Sequence, residues 1–465
     1  MKKILSTFTL VAILILAGCG DSAELKLPAL FSDHMVLQQN TYVSIWGWYK
    51  SGGKVTVKGS WMDEAVSAKG DENKKFMIKV HTPSAGGPYT LMIKASESVL
   101  LNNVMIGEVW LCSGQSNMEM PLKGWEDQPV LNSEEAIASA YLPNIHFFQV
   151  ERAESAVPLD DCTGQWALCT PTTAAEFSAV AFFFGRELFQ KLDVPIGLIH
   201  SSWGGTPSEA WTSPVGLKSF PEFKEEVETF EDRESYQYPS VLYNGMIHPL
   251  IPYTLKGVIW YQGESNAHDP GQYKKLFPAM IQDWRKLWDL GSFPFYFVQI
   301  APFAYGKGKD AAGLRQAQLE TMQVRNTGMV VTMDIGELKT IHPANKEEVG
   351  RRLALWALAK NYGFDSLVYS GPVYQDKIIE GRHMRILFDS VGSGLTSRGG
   401  RLRHFEIAGA DRKFVPAEAY FAGDTIIVSS SKVRKPVYVR YLWSDKEQPS
   451  LFNKEGLPAS PFLTD

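Results

Sequence analysis

The sequence predicts an α/β protein in which a three-layer α/β domain lies between two β-sandwich-like domains. Strands and helices alternate between residues 106 and 362, which is typical of a mostly parallel sheet covered by helices. Before and after that segment, apolar and polar residues alternate with a period of two, which indicates antiparallel strands. The length of 465 residues is also too great for one ordinary core.

Residues 1–19 are expected to be a targeting segment outside the fold. Two lysines precede an apolar stretch at residues 10–16, which is shorter than the roughly 20 residues that a membrane-spanning helix needs. The tetrapeptide LAGC at residues 16–19 resembles a bacterial lipobox, which implies cleavage before Cys19 and attachment of lipid to its sulfur. We therefore expect an exported lipoprotein, periplasmic or on the cell surface, that contacts the membrane only through its anchor. The alternative is a plain secretory signal in which Cys19 is incidental.

Antiparallel β-structure is predicted in two segments, an N-terminal β domain over residues 27–105 and a C-terminal β domain over residues 367–465. We find no internal repeats, low-complexity tracts or long linkers between them and the α/β segment. The clearest predicted strands of the two β domains are at residues 43–48, 54–58, 425–428 and 437–441.

The α/β domain is predicted over residues 106–362. Its first helix presents Ala181, Phe184 and Leu188 on one face, and short apolar runs on either side are typical of buried strands. In such sheets the sites lie at the carboxyl ends of the strands. The predicted elements are strands at residues 109–112, 196–199, 258–261, 295–300 and 329–333 and helices at residues 181–192, 273–288 and 314–324.

Composition narrows the functional class. A hydrophobic content of 45% and a charged content of 21% describe a globular protein. The 46 basic and 51 acidic residues give a formal charge of −5, so no basic field is present and nucleic-acid binding is not expected. Histidine and cysteine lack the spacing of zinc sites, the aspartates form no calcium loop, and no glycine-rich nucleotide motif follows a strand. We therefore expect neither a metal nor a cofactor.

Polar segments follow four of the predicted strands of the α/β domain. A nucleophilic hydroxyl needs a base within hydrogen-bond reach and a set of oriented N–H donors. Together these segments contain all three parts, and a parallel sheet brings them to one edge. The segments are GQSNM at residues 114–118, SSWGGT at residues 201–206, QGESN at residues 262–266, and the loop from Asp334 to His342.

Seven short motifs occur in order along the chain, namely LPALFSDHMVLQ (27–38), GEVW (107–110), GQSNM (114–118), WGGT (203–206), WYQGESN (260–266), IHP (341–343) and GLPA (456–459). With these motifs the chain resembles the sialate O-acetylesterase-like family of carbohydrate esterases, within the SGNH/GDSL hydrolase superfamily. The resemblance covers nearly the whole mature chain. It implies that the α/β domain is a three-layer α/β/α SGNH hydrolase domain.

The resemblance also implies a reaction and two residues that perform it. Ser116 would be the nucleophile and His342 its general base in the removal of O-acetyl groups from carbohydrate. The competing interpretation of His342 is a core or capping histidine ahead of the helix that contains Val349 and Leu353. The other histidines, His200 among them, are expected to be structural or surface residues.

An oxyanion hole is implied by the same resemblance. Its donors would be the N–H of Ser116, the N–H of Gly204 or Gly205, and a side chain from residues 262–266. The superfamily uses an asparagine with the spacing Gly-x-Asn, and here the spacing is one residue longer, with Asn266 as the candidate.

The acidic partner of His342 remains open at the level of sequence. Many SGNH enzymes place an aspartate three residues before the histidine, where this chain has Lys339. Glu264 and Asp334 both follow strand ends, and either could orient the imidazole or act as a structural anchor for backbone N–H groups. Glu337 is a more distant candidate.

The substrate expected from the resemblance is an O-acetylated glycan, either a sialic acid or a plant polysaccharide such as xylan or xyloglucan. Two alternatives stay open: a non-catalytic glycan-binding lipoprotein with a degenerate site, and a lipase or thioesterase with a long apolar cleft. Cys112 is expected to be buried, and a disulfide between Cys162 and Cys169 is undecided, as is the oligomeric state.

Overall fold

The computed structural model describes residues 24–224 and 236–465. The expected signal segment and the expected lipidation site at Cys19 lie outside these ranges. Within them, no helix combines the length and the apolar character that crossing a membrane requires.

Antiparallel strands form the first part of the described chain, as the period-two pattern predicts. β1, β3 and β6 make one three-stranded sheet, and β4 pairs with β5 and β7. Alternate side chains of β6 are buried, so one face of that strand supplies the core. The strands are β1 (Leu25–Lys26), β2 (Val36–Gln38), β3 (Thr41–Tyr49), β4 (Lys54–Gly59), β5 (Val66–Lys69), β6 (Lys75–Thr82) and β7 (Gly86–Lys94).

A mostly parallel sheet occupies the centre of the molecule. Its order is β10-β9-β11-β8-β12-β13-β14, and each neighbouring pair is parallel except β10 with β9. The strands are β8 (Ser98–Gly114), β9 (Leu142–Val150), β10 (Gly164–Cys169), β11 (Ile196–Ser202), β12 (Gly257–Tyr261), β13 (Phe295–Val298) and β14 (Thr327–Val330). β14 ends earlier than the predicted strand at residues 329–333, and beyond its end the side-chain hydroxyl of Thr332 donates to the carbonyl of Gln299.

The long strand β8 belongs to both sheet systems. Its first residues pair antiparallel with β7, residues 105–107 pair with β2, and its last residues lie between β11 and β12. The backbone therefore runs without a break through the boundary that is predicted between residues 105 and 106. The division into domains stays a prediction.

Helices cover both faces of the parallel sheet. Most of the longer ones begin at a side chain that accepts an N–H of the first turn, and Ser178, Asp269, Asp310 and Asn345 serve as these caps. The helices are α1 (Ser116–Glu119), α2 (Ser133–Ala138), α3 (Pro171–Glu176), α4 (Ala179–Leu192), α5 (Pro270–Trp288), α6 (Ala311–Thr321) and α7 (Lys346–Asn361).

The three-layer architecture follows from how the helices pack. α4 and α7 share one buried cluster with one set of sheet side chains, and α5 and α6 share another with the opposite set. Trp110 and Ile259 point into the first cluster, whereas Val109 and Trp260 point into the second. Because side chains alternate along a strand, each face of the sheet buries its own layer. The predicted three-layer α/β fold is confirmed.

The C-terminal part of the chain is again β-structure. It forms two four-stranded sheets, β15-β16-β21-β20 and β19-β18-β22-β24, and the pair β17-β23. The strands are β15 (Val373–Glu380), β16 (His383–Asp389), β17 (Leu395–Ser397), β18 (Phe405–Ala408), β19 (Val415–Pro416), β20 (Glu418–Ala422), β21 (Thr425–Ser429), β22 (Tyr438–Tyr441), β23 (Leu451–Asn453) and β24 (Phe462–Leu463).

Three cysteines lie in the described part of the chain, and all three are free. Cys112 is buried in β8, as expected, and behaves as a small apolar side chain. Cys162 and Cys169 are not bonded to each other, so the disulfide that the sequence leaves undecided is not formed.

Candidate active site

Ser116 lies directly beyond the end of β8, at the carboxyl edge of the parallel sheet. Gly114 adopts a φ of +140°, and a Cβ there would come within 2.2 Å of the carbonyl oxygen of Tyr261. Only glycine fits this close approach of two strands. The chain then turns, and Ser116 becomes the first residue of α1 with its side chain partly exposed.

His342 meets Ser116 from the loop that precedes α7. Its Nε2 lies 2.8 Å from Ser116 Oγ, and its Nδ1 lies 2.5 Å from Gln128 Oε1. An amide oxygen can only accept, so Nδ1 carries the proton and Nε2 is left to accept one from the serine hydroxyl. The Trp125 ring packs edge-on against the imidazole at 5.1 Å. Both Trp125 and Gln128 come from one tight turn closed by two backbone hydrogen bonds.

The imidazole of His342 is a neutral base in this environment. Burial, and after it the positive charge of Lys346, lowers the pKa of His342 to about 4. The partner at Nδ1 is a neutral amide and not a carboxylate, so it supplies no negative charge to stabilise the imidazolium.

Among residues 24–224 and 236–465, no carboxylate bonds to the imidazole of His342, whose two nitrogens face Gln128 and Ser116. Asp334 is held in a bidentate ion pair by the guanidinium of Arg352, with N–O distances of 2.7 and 2.8 Å. Its anchoring partner is therefore a side chain and not the backbone N–H groups that the sequence suggests. Glu264 accepts from Asn117 at 2.7 Å. Glu337 accepts the backbone N–H of Ala344 instead. The side-chain oxygen of Gln128 is the hydrogen-bond partner of Nδ1, where a carboxylate was expected.

Two of the expected oxyanion donors are engaged elsewhere. The N–H of Gly204 donates to Glu119 Oε2 at 2.9 Å. The side-chain amide of Asn266 donates to Glu209 at 2.9 Å, because the turn of residues 264–266 buries it against that residue. In the described part of the chain, the N–H groups of Ser116 and Gly205 have no protein acceptor, so they remain the donors open to a substrate oxygen.

Charged and aromatic side chains pack together next to Gly204, where an added Cβ would lie 3.2 Å from the Cβ of Ser116. Arg152 donates twice to Glu119, and its guanidinium lies 5.1 Å over the ring of Trp203. Trp203 in turn stacks on Tyr236 with ring centroids 5.0 Å apart. These side chains place flat apolar surface next to the serine, of the kind that sugar rings pack against.

A second serine–histidine pair lies on the neighbouring strand β11. The Nε2 of His200 is 2.5 Å from Ser202 Oγ, and its Nδ1 is 2.6 Å from Gln149 Oε1. Both His200 and Ser202 are 2% exposed, and burial lowers the pKa of the histidine to about 3. The expectation that His200 is structural agrees with this enclosure.

Below the Ser116–His342 pair, a buried polar network connects three chain segments. Asn117 donates to Glu264 and, at 3.0 Å, to the carbonyl of Ile341, the residue before the histidine. Lys346 donates to the amide oxygen of Asn117 at 2.5 Å. These four residues therefore join α1, the turn after β12 and the histidine loop.

Sequence reasoning missed Gln128 and Lys346. Gln128 lies in an irregular segment without any pattern, and a glutamine gives no signal when a carboxylate is expected. Lys346 lies four residues after His342 at the start of a predicted helix, where a lysine reads as an ordinary surface residue. In the described residues, no group of three histidine, cysteine or acidic side chains is arranged to hold a metal.

Comparisons with known proteins place the chain in a family of carbohydrate esterases. A family model described as "Carbohydrate esterase, sialic acid-specific acetylesterase" matches residues 106–359. Sialate O-acetylesterase from Homo sapiens is 32% identical over 497 residues, which cover 96% of this chain and 93% of the relative. The Pongo abelii enzyme of the same name is 31% identical over 498 residues, with the same shares covered. The crystal structure of a carbohydrate acetylesterase from Xanthomonas citri matches with a TM-score of 0.86 and 39% identity, covering 95% of this chain and 99% of that chain.

Proposed function

Since the chain belongs to the carbohydrate esterase family that contains the sialate O-acetylesterases, and is a carbohydrate O-acetylesterase, we propose that Ser116 and His342 perform its reaction through an acetyl-enzyme. The observation that carries this proposal is the 2.8 Å contact between His342 Nε2 and Ser116 Oγ. It joins a partly exposed hydroxyl to a base whose Nδ1 proton is already held by Gln128.

The reaction divides into two acyl transfers. The Nε2 of His342 takes the proton of Ser116 as Oγ forms a bond to the acetyl carbonyl carbon. The bond from that carbon to the sugar oxygen then breaks, and the sugar oxygen receives the proton from the imidazolium. Water repeats the sequence on the acetyl-enzyme, gives its proton to His342, and releases acetate with Ser116 restored. In this proposal the N–H groups of Ser116 and Gly205 stabilise the oxyanion.

For the substrate, we propose O-acetylated sialic acid as the first candidate and acetylated plant polysaccharide as the second. The first is supported by the relatives from Homo sapiens and Pongo abelii, which are sialate O-acetylesterases. The second is kept because the structural match from Xanthomonas citri is described only as a carbohydrate acetylesterase. The stacked rings of Trp203 and Tyr236 beside the serine suit a sugar of either kind.

Acetate release tests both the mechanism and the substrate. The panel contains 9-O-acetylated sialoglycan, acetylated xylan, acetylated xyloglucan and an aryl acetate, each offered to the wild type and to Ser116→Ala. We expect release by the wild type and its loss in the variant, and the preferred glycan then names the substrate. A folded wild type that releases no acetate, even from the aryl ester, favours a glycan-binding protein. A preference for long-chain esters favours a lipase or thioesterase.

We also propose that the chain is exported and lipid-anchored at Cys19. The support is the LAGC tetrapeptide after a short apolar stretch. Detergent phase partitioning of the full chain from a bacterial host tests it. The wild type is expected in the detergent phase, and Cys19→Ala is expected in the aqueous phase or as an unprocessed precursor. An unchanged distribution in the variant contradicts lipidation at this cysteine.

A further inference from the structure

A lysine is completely buried behind the catalytic pair, in the first turn of α7. Lys346 is 0% exposed, and its ammonium lies 5.5 Å over the ring of Tyr261. Lysine is among the residues least often enclosed in this way, because removing an ammonium from water is costly unless it is paired. The reaction as derived above does not use this group.

The contacts of Lys346 lead to the histidine loop. Its Nζ donates to the amide oxygen of Asn117. The amide nitrogen of Asn117 donates both to Glu264, at 2.7 Å, and to the carbonyl of Ile341, at 3.0 Å. With both hydrogens and the oxygen engaged, Asn117 has one orientation, and that orientation fixes the peptide between Ile341 and His342 next to Ser116.

We propose that Lys346 is a positioning residue for the Ser116–His342 pair, which orients the histidine loop through Asn117 and keeps the imidazole in its neutral, proton-accepting form. This inference rests on the proposed function, because it assigns Lys346 a role in the same proton transfer. Lys346 is not a catalytic residue, since it contacts neither the reacting hydroxyl nor the imidazole.

The charges around Lys346 agree with this role. Burial lowers the pKa of Lys346 to about 7. The negative charges of Glu264 and Glu337 act in the opposite direction and raise it. Arg315 faces Glu264 from α6. The ammonium is therefore charged below pH 7, the range in which an ordinary histidine takes up its proton. A nearby positive charge disfavours the imidazolium, so removal of Lys346 raises the pKa of His342.

A purely structural ion pair does not explain the arrangement well. Lys346 and Glu264 are separated by the amide of Asn117 instead of meeting directly, and no salt bridge joins them. Among the described residues, Glu264 Oε2 is buried without a hydrogen-bond partner. Two buried charges that do not meet, one of them with an oxygen that lacks a hydrogen-bond partner, do not recover the cost of removing them from water and so contribute little to stability. Its arrangement is better explained by its effect on the residues directly above it.

The test replaces the charge and follows the ionisation of His342 directly. The variant Lys346→Met keeps the length of the side chain and removes the ammonium. The protonation of the His342 imidazole is followed by an NMR pH titration of protein with isotope-labelled histidine. The His342→Ala variant identifies the signal of this residue. The acidic limb of kcat/KM on an aryl acetate is measured in parallel, because it reports the essential base of the free enzyme. We expect both midpoints to move to higher pH by about one unit.

Lys360→Met is the matched control, because Lys360 lies near the other end of α7 with its side chain exposed. It makes the same change in net charge and should leave both midpoints in place. If Lys346→Met fails to fold, Lys346→Met/Glu264→Gln removes the unpaired carboxylate as well and carries the same expected shift. A folded variant in which His342 titrates as in the wild type overturns the inference.

Failure of this inference is distinguishable from failure of the proposed function. The NMR titration does not depend on turnover, so it measures the effect of Lys346 even in a protein without activity. If the Ser116→Ala variant still hydrolyses the ester at the wild-type rate, the proposed mechanism is contradicted. A Ser116-dependent wild type with an unshifted Lys346→Met variant contradicts only the role of Lys346.

Discussion

Two serine–histidine–glutamine arrangements have nearly the same hydrogen bonds, one beyond the end of β8 and the other on the adjacent strands β11 and β9. In one, Ser116 bonds to a histidine whose Nδ1 faces Gln128. In the other, Ser202 bonds to His200, whose Nδ1 faces Gln149. The first serine is partly exposed at the edge of the sheet, whereas the second is 2% exposed inside it.

On the proposed mechanism, the difference indicates that hydrogen-bond geometry alone does not make a nucleophile. The reaction requires room for a carbonyl carbon next to the hydroxyl, donors for the oxyanion, and an imidazolium that can exist briefly. Ser116 has an open side and two available N–H groups beside it, its own and that of Gly205. Ser202 is enclosed, and burial holds the pKa of His200 near 3. We therefore propose that the same three residue types serve chemistry in one place and packing in the other.

A covalent serine probe tests the difference between the two serines most directly. A fluorophosphonate should label Ser116 completely and Ser202 not at all, since the probe needs the same access and activation as an ester. Peptide mapping by mass spectrometry measures the two sites in one sample. Ser116→Ala should show no labelling, and modification of Ser202 in that variant contradicts the assignment of the second group as structural.

Removal of the base should have the next largest effect. We expect His342→Ala to lower kcat/KM by roughly 10³-fold or more, because the hydroxyl of Ser116 then loses its proton acceptor. Steady-state hydrolysis of an aryl acetate measures this. His383→Ala, at an exposed position in β16, is the control and should retain the wild-type rate. A loss of less than about tenfold in His342→Ala would falsify the base assignment.

The role of Gln128 as the partner of His342 can be tested by the pH dependence of kcat/KM. Gln128→Glu places a carboxylate beside Nδ1, which stabilises the imidazolium and raises the pKa of His342 from about 4. The acidic limb of kcat/KM should therefore move to higher pH by about 1 to 3 units, with little change near pH 8. Gln128→Met, which adds no charge, should not move the limb upward. An unchanged limb in Gln128→Glu shows that this residue does not act on the imidazole.

The smallest expected effect is that of the buried hydroxyl. Ser202→Ala leaves His200 Nε2 without its donor in a closed environment, which should lower the free energy of unfolding by about 1–3 kcal/mol. Urea unfolding measures that change. The partly exposed Ser116→Ala should change it by less than about 0.5 kcal/mol while abolishing hydrolysis. A reversed pattern, with activity lost in Ser202→Ala and stability unchanged, contradicts the distinction between the two groups.

The sequence alone determined the fold class and pointed to the two residues between which we propose the proton transfer. Strand and helix periodicity is local, so the alternation between residues 106 and 362 could be read directly. Ser116 follows a strand in a glycine-containing turn, and His342 stands in a motif carried by the resemblance. Each is recognisable from a few neighbours along the chain.

Only the tertiary structure decided what completes the site. Gln128 lies 214 residues from His342 in the chain, and Lys346 lies 229 residues from Asn117. Their contacts depend on how a tight turn and the start of α7 pack around the sheet edge. The carboxylates that the sequence suggests, Glu264 and Asp334, are held in other contacts by Asn117 and Arg352. Local pattern encodes which elements form, but burial and long-range packing decide which polar groups meet, and hence which protons can move.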